Sequence, residues 1–278
     1  MNNTSNGGKQ STVNGDQLSD TNKFLTLIPN IITLLNLFCG CIAIMYALQT
    51  GLTLTIDNNG DNLVIIPEKI YMASLFIALA AVIDFFDGFI ARLLHATSLM
   101  GKQLDSLADV VSFGVAPAMI VYQFLRLSYA QQEDGLDVNI LWLMPAFIIP
   151  CAGAYRLARF NVETNDDFVF KGVPIPAIGL LIASFPLVFW SRNANTPWNS
   201  SLLTSKWFWY AIVFIVSYFM VCSLPILALK FKKASVKSFL PFLILVLVLG
   251  LSAIFLKWMC VGATFAAYII VSIIFKQK

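Results

Sequence analysis

Histidine is almost missing from this chain: His95 is the one copy in 278 residues. A lone imidazole cannot build a zinc site, and its place just after Arg92 suits an ordinary helix-end residue. Five cysteines, Cys39, Cys41, Cys151, Cys222 and Cys260, include no CxxC pair, and all fall in apolar runs. They read as buried small hydrophobes, which leaves redox and thiolate-metal chemistry without a motif. Charge is scarce too, at 12% of residues, with no lysine-rich cluster and no basic-aromatic interleaving that would suit nucleic acid. Residues 1–23 hold almost no large apolar side chain and are expected to form a disordered cytosolic tail. That tail has no apolar signal core, and Asn2 stands where a myristoyl anchor needs glycine.

What the chain does have is apolar sequence, 58% of residues, gathered into long runs instead of amphipathic stripes. This composition predicts an all-α integral membrane protein, a polytopic helical bundle. Spans are expected at about 27–49, 70–94, 104–127, 139–160, 172–191, 207–229, 238–256 and 258–275, each near the ~20 residues a crossing needs. With both termini cytoplasmic, the inner segments carry thirteen Lys and Arg residues and the outer ones five. That bias orients the bundle by the positive-inside rule.

Against this apolar background four aspartates, Asp84, Asp87, Asp105 and Asp109, stand inside or beside expected spans. An ionisable group near the bilayer centre costs roughly 2.5–3.5 kcal/mol, whereas one Leu, Ile or Phe recovers only about 0.3–0.6 kcal/mol. Something must compensate them. The spacing Asp84-x-x-Asp87 puts two carboxylates on one helical face, and Asp105-x-x-x-Asp109 does the same on the next helix. Four facing carboxylates repel one another unless a cation sits between them. The pattern therefore predicts a metal site, binuclear, near the cytoplasmic end of two antiparallel helices.

Written out, the block is Asp84-x2-Asp87-Gly88-x2-Ala91-Arg92-x8-Gly101-x3-Asp105-x3-Asp109. It resembles, at all eight positions, the signature of the CDP-alcohol phosphotransferase family, which joins an alcohol to the phosphate of a CDP-linked lipid or polyol and releases CMP. The residues themselves suit that chemistry. Gly88, Ala91 and Gly101 clear side chains from the path of a pyrophosphate, and Arg92 offers a fixed fork of donors. Two Mg²⁺ or Mn²⁺ ions ~3.5–4 Å apart can hold the attacking and leaving oxygens of an in-line displacement. The resemblance implies that Asp84, Asp87 and Asp105 are chiefly ligands, with Asp109 a ligand and also the general base. The stretch LIPNIITLLNLFCG at 27–40 is similar to the family's first helix, which implies that Asn30 and Thr33 face the nucleotide. Ser98 matches a family hydroxyl near the phosphates. Homodimers through membrane helices are a further implication.

Three further stretches, DSLADVVSFGVAPA at 105–118, RLARFNV at 156–162 and FKGVPIPA at 170–177, resemble the phosphatidylserine synthase branch of that family. The branch implies CDP-diacylglycerol and L-serine as substrates. Arg156 and Arg159, at i and i+3, supply positive charge for a carboxylate, and Asn161 and Lys171 complete a serine-binding rim; positive-inside anchoring is the alternative reading of the arginines. The expected organisation is a tail (1–23), a six-helix core (24–230) and an additional C-terminal helix pair (231–278), in an inner or cytoplasmic membrane with the site facing the cytoplasm. Glycerol 3-phosphate and an inositol phosphate are alternative acceptors. An ion transporter is the alternative from another class, since buried carboxylates also mark ion pathways.

Overall fold

Runs of Leu, Ile, Ala and Phe fold as helices here because an apolar surround forces each backbone to satisfy its own hydrogen bonds. A computed structural model of the chain describes residues 10–49, 53–56, 62–65, 69–94, 98–130, 138–162, 170–190, 202–222, 225–226 and 236–274. Helix α1 (Gln10–Leu48) leads through a β-hairpin, β1 (Thr53–Ile56) with β2 (Asn62–Ile65), into α2 (Ile70–Leu93). A continuous helical rod follows: α3 (Leu99–Asp109), a π-helical segment (Val110–Val115) and α4 (Ala116–Ala130). Two 3-10 turns introduce α5 (Ile148–Val162), and β3 (Phe170–Lys171) precedes α6 (Ile175–Trp190). Helix α7 (Lys206–Val221), β4 (Pro225–Ile226), α8 (Val236–Leu256) and α9 (Cys260–Ile274) complete the chain.

Among the described residues a helix stands at each of the eight expected places. Among the described residues, three helical stretches are long and apolar enough to cross a membrane: Leu27–Leu48, Ile70–Leu93 and Leu99–Ala130. Ile175–Trp190, Lys206–Val221, Leu243–Ile254 and Cys260–Ser272 are shorter apolar helices.

Three expectations need correction. The first helix begins at Gln10, inside the segment read as a disordered tail. Once the apolar part has nucleated a helix, extending it costs little per residue even through Asn, Ser and Thr. The sixth expected span stops at Val221, not 229, because Pro225 cannot continue a helix and Cys222 turns extended (φ −60°, ψ 149°). The bundle itself is helical as expected, and its links carry two short antiparallel pairings, β1 with β2 and β3 with β4. Thr53–Ile56 and Asn62–Ile65 are largely β-branched or aliphatic and flank Asp57-Asn58-Asn59-Gly60-Asp61, a turn composition. Finally, of the five free cysteines only Cys39 is buried, while Cys41 and Cys151 are exposed on outward helix faces.

The rod α3–π–α4 is the centre. It touches α1, α2, α5, α6 and α7, and the π segment lies where α1, α5 and α6 converge. Close approach there depends on glycine: a Cβ on Gly179 would fall 2.9 Å from Phe113 Cβ, and one on Gly114 3.2 Å from Pro150 Cα. At the other end of the rod, Trp209 is wholly buried, stacked on Phe124 at 4.6 Å, with its indole N–H donating to the Leu203 carbonyl at 2.8 Å. Gln123 Nε2 donates to the Ala47 carbonyl at 2.8 Å and ties α4 to the end of α1. Ala43 and Ala47 on α1, with Ala73 and Ala80 on α2, are buried without exposure, so small residues let helices in this part of the bundle approach closely.

Candidate active site

Helices α1, α2 and α3 meet where the four aspartates lie. Asp84 and Asp87 come from the last turns of α2, and Asp105 and Asp109 from α3. Asp84, Asp105 and Asp109 each offer an oxygen within 4.8 Å of the others. Three carboxylates from two helices thus converge on one point. Asp109 is 7% exposed, and its Oδ1 is buried with no hydrogen-bond partner. Asp87 stands apart from that trio. Its Oδ2 accepts the Thr33 hydroxyl at 2.8 Å, and with 5% exposure it faces α1.

Beside the trio opens a cavity of ≈ 470 Å³, lined by Pro29, Asn30 and Thr33 of α1, by Asp87, Gly88, Ala91 and Arg92 of α2, and by Ser98, Leu99, Gly101, Lys102 and Asp105 of the next segment. Asp105 belongs to both the trio and the cavity wall, so the two are one continuous site. All seven residues expected to meet the nucleotide line this one space.

Two glycines there do different work. A Cβ on Gly88 would meet nothing within 4 Å, so its absence widens the cavity. A Cβ on Gly101 would fall 3.0 Å from Asn30 Oδ1 and 3.1 Å from Ser98 Oγ, so that glycine seats α3 against α1. Ser98 is itself the N-cap of α3, its Oγ accepting from the Gly101 N–H at 2.9 Å. Such a cap fixes where the helix begins and so sets the phase of Asp105 and Asp109. Sequence reasoning missed Leu99 and Lys102 in the wall; Lys102 lies three residues before Asp105, a spacing that places both on one face.

Of the residues expected to bind serine, Arg156, Arg159 and Asn161 share α5 and take different partners. Arg156 of α5 is 7% exposed, has a buried Nε without a partner, and lies close enough to Asp109 and Tyr268 for electrostatic interaction. Arg159 instead donates from Nη1 to the Val221 carbonyl at 3.1 Å, holding the end of α7. Asn161 donates to Ser106 Oγ at 2.8 Å and joins α5 to α3 next to Asp105. The backbone of Lys171 pairs with Pro225; its side chain lies outside the described residues. Gly172 adopts φ +79°, and a Cβ there would fall within 2.4 Å of the Met220 carbonyl, so only glycine lets this strand lie against the end of α7.

A hard divalent cation fits these donors. The trio is all carboxylate oxygen, from a rigid pair of helices, and includes an oxygen that the protein itself leaves unpartnered.

The family model described as CDP-alcohol phosphatidyltransferase matches residues 26–207, which include every aspartate of the site. Among similar proteins, the CDP-diacylglycerol–serine O-phosphatidyltransferase of Helicobacter pylori (strain J99) is 35% identical over 160 residues, 57% of this chain and 56% of that protein. The protein of the same description from Bacillus subtilis (strain 168) is 36% identical over 163 residues, 58% of this chain and 77% of that protein. The archaetidylserine synthase of Methanothermobacter thermautotrophicus is 31% identical over 162 residues, 58% of each chain. The match thus spans little more than half the length of some of these relatives.

Proposed function

Because this chain belongs to the CDP-alcohol phosphatidyltransferase family, we propose that it transfers the phosphatidyl group of CDP-diacylglycerol to the hydroxyl of L-serine, giving phosphatidylserine and CMP. The observation that carries this reading is the joining of three convergent carboxylates to a cavity walled by Gly88, Ala91, Arg92, Ser98 and Gly101. The names of the relatives support serine over glycerol 3-phosphate or an inositol phosphate, since phosphatidylserine and archaetidylserine synthases differ in lipid and share that acceptor.

The residues divide the work as follows. Asn30, Thr33 and Arg92 line the cavity that receives the cytidine diphosphate, and the open space over Gly88 admits the diphosphate to the helix surface. Asp84, Asp105 and Asp109, with Asp87 behind Thr33, hold divalent metal, Mg²⁺ or Mn²⁺ and two ions. When bound, such ions neutralise the diphosphate and stabilise the leaving phosphate. Asp109 takes the proton of the serine hydroxyl, and the oxygen attacks the lipid-linked phosphorus. The bond to CMP breaks, and the CMP phosphate keeps the electron pair. Arg156, near Asp109, receives the serine carboxylate, which lies only two bonds from the carbon that bears the hydroxyl. The tails of the lipid enter sideways from the bilayer.

The thirteen-to-five distribution of Lys and Arg supports both termini and the site facing the cytoplasm, and the chain is placed in an inner or cytoplasmic membrane. The core is taken as six helices over 24–230, with 231–278 as an added helix pair; the family match, residues 26–207, covers the first five of those helices. A homodimer is part of the proposal.

The test is CMP release by the purified chain in detergent with CDP-diacylglycerol and one acceptor at a time. Release that needs both serine and Mg²⁺ or Mn²⁺, and that stops on chelation, is the expected result. Release driven equally by glycerol 3-phosphate, or independent of any acceptor, would overturn the serine assignment. Asp109→Asn should cut turnover by about 10²–10⁴-fold, the usual range for a lost general base, while CDP-diacylglycerol binding persists.

A further inference from the structure

On α1, close to the acidic residues of α2 and α3, sits a polar side chain that makes no hydrogen bond. Asn36 of α1 is 0% exposed, and neither its Oδ1 nor its Nδ2 has a partner. Native interiors seldom leave a carboxamide wholly unpaired, so something outside the protein's own groups is expected to meet it.

Its position says what. Thr33 meets Asp87, and Tyr46 stacks on Phe76 at 5.5 Å, so α1 and α2 run antiparallel. One turn beyond Thr33, Asn36 comes level with Asp84, one turn before Asp87. On the other side its backbone carbonyl accepts the Ser112 hydroxyl at 3.1 Å, three residues beyond Asp109. Asn36 therefore lies at the depth of Asp84 and Asp109, on the side of the trio away from the cavity mouth. At that depth Asp109 Oδ1 is also buried and unpartnered. Two buried, unpartnered polar groups thus stand at one depth on adjoining helices.

We propose that Asn36 is a positioning residue for the acidic site, holding water that belongs to a divalent cation bound by Asp84, Asp105 and Asp109. This rests on the cation reading given above. Small hard cations keep several waters when protein ligands are few, and three carboxylates leave coordination positions open. A carboxamide suits that water better than any other neutral side chain. Its oxygen accepts a water hydrogen, and its NH₂ group donates to a carboxylate oxygen, so one residue orients both partners. A leucine of similar size could do neither.

The same geometry separates this role from a structural one. Removing a buried amide that has no protein partner should leave the cation-free fold as stable as before or more so. Only cation binding should suffer. The experiment is thermal unfolding of the full chain in detergent, titrated with MnCl₂, for the parent, Asp105→Asn, Asn36→Leu and Asn36→Ala. The parent should gain stability with Mn²⁺, and Asp105→Asn should lose that response. Asn36→Leu should melt no lower than the parent without cation, yet require about tenfold or more additional Mn²⁺ for the half-maximal shift. Asn36→Ala, which cannot clash, should show the same displacement and carries the test if the leucine variant does not fold. A Mn²⁺ midpoint in the folded variants equal to the parent's would overturn the role of Asn36 while leaving the cation site intact. No Mn²⁺ response in the parent would remove the cation reading and this inference together.

Discussion

Gly40→Ala should damage the site from a distance, through the packing of α1 on the π segment. A Cβ at Gly40 would fall within 2.4 Å of Ser112 Oγ and 2.8 Å from Ser112 Cα. The hydroxyl can rotate away, at the expense of its 3.1 Å bond to the Asn36 carbonyl, but the backbone atom cannot. The helices must then part by roughly half to one ångström, since carbon pairs are comfortable only near 3.5–4.0 Å. Overpacking of this kind costs about 1–3 kcal/mol, while alanine regains about 0.8–1.0 kcal/mol of helix propensity over glycine. Net destabilisation is thus about 0–2 kcal/mol, too small to abolish folding. Activity is the sharper readout. Ser112 lies one turn beyond Asp109, so the displacement moves Asp105 and Asp109, two of the acidic trio, against Thr33 and Asp87, and misplacement by about 1 Å can cost on the order of 10²-fold in rate. The assay is CMP release with serine, beside thermal unfolding in detergent, with Gly250→Ala and Gly262→Ala as controls. A Cβ at either control meets nothing within 4 Å. The controls should be neutral or slightly stabilised and fully active. A Gly40→Ala chain with parental activity would refute the claim that this contact holds the trio in register.

Two other substitutions probe separate parts of the site. Gly88→Leu should fold as well as the parent, because no atom lies within 4 Å of the new Cβ, yet bind CDP-diacylglycerol at least about tenfold more weakly as the side chain fills the ≈ 470 Å³ cavity; undiminished binding would place the nucleotide elsewhere. Arg156→Gln should raise the serine concentration for half-maximal turnover about tenfold or more, the weight of one charge-assisted contact, while the CDP-diacylglycerol requirement holds. Equal loss for both substrates would make Arg156 structural.

The sequence carried the larger part of the architecture because its signals were long. Runs such as LILVLVLG at 243–250 favour apolar helix, and the helix positions followed from length and composition. The acidic block was legible for a different reason: charges are so costly in apolar surroundings that Asp84, Asp87, Asp105 and Asp109 announce themselves. What escaped was set by contacts between helices. Nothing local marks Val110–Val115 as π-helical; the segment widens where α1, α5 and α6 crowd it through Gly40, Pro150 and Gly179. Asn36 looked like one more polar residue of the first helix, and only its burial beside Asp84 singles it out. Gly101 lines the cavity as its clearance role requires, but its second task, seating α3 against Asn30 of α1, had no local sign. Arg159 read as a substrate contact, whereas its guanidinium holds the Val221 carbonyl, a partner 62 residues away that no local pattern could reveal.

The most direct test of the central claim is an anomalous difference map from crystals of the chain grown with Mn²⁺. The account predicts density among Asp84, Asp105 and Asp109, within ordinary carboxylate coordination distance of all three and next to the cavity that Gly88 and Arg92 line. Manganese bound only elsewhere, with the three carboxylates turned apart, would contradict it.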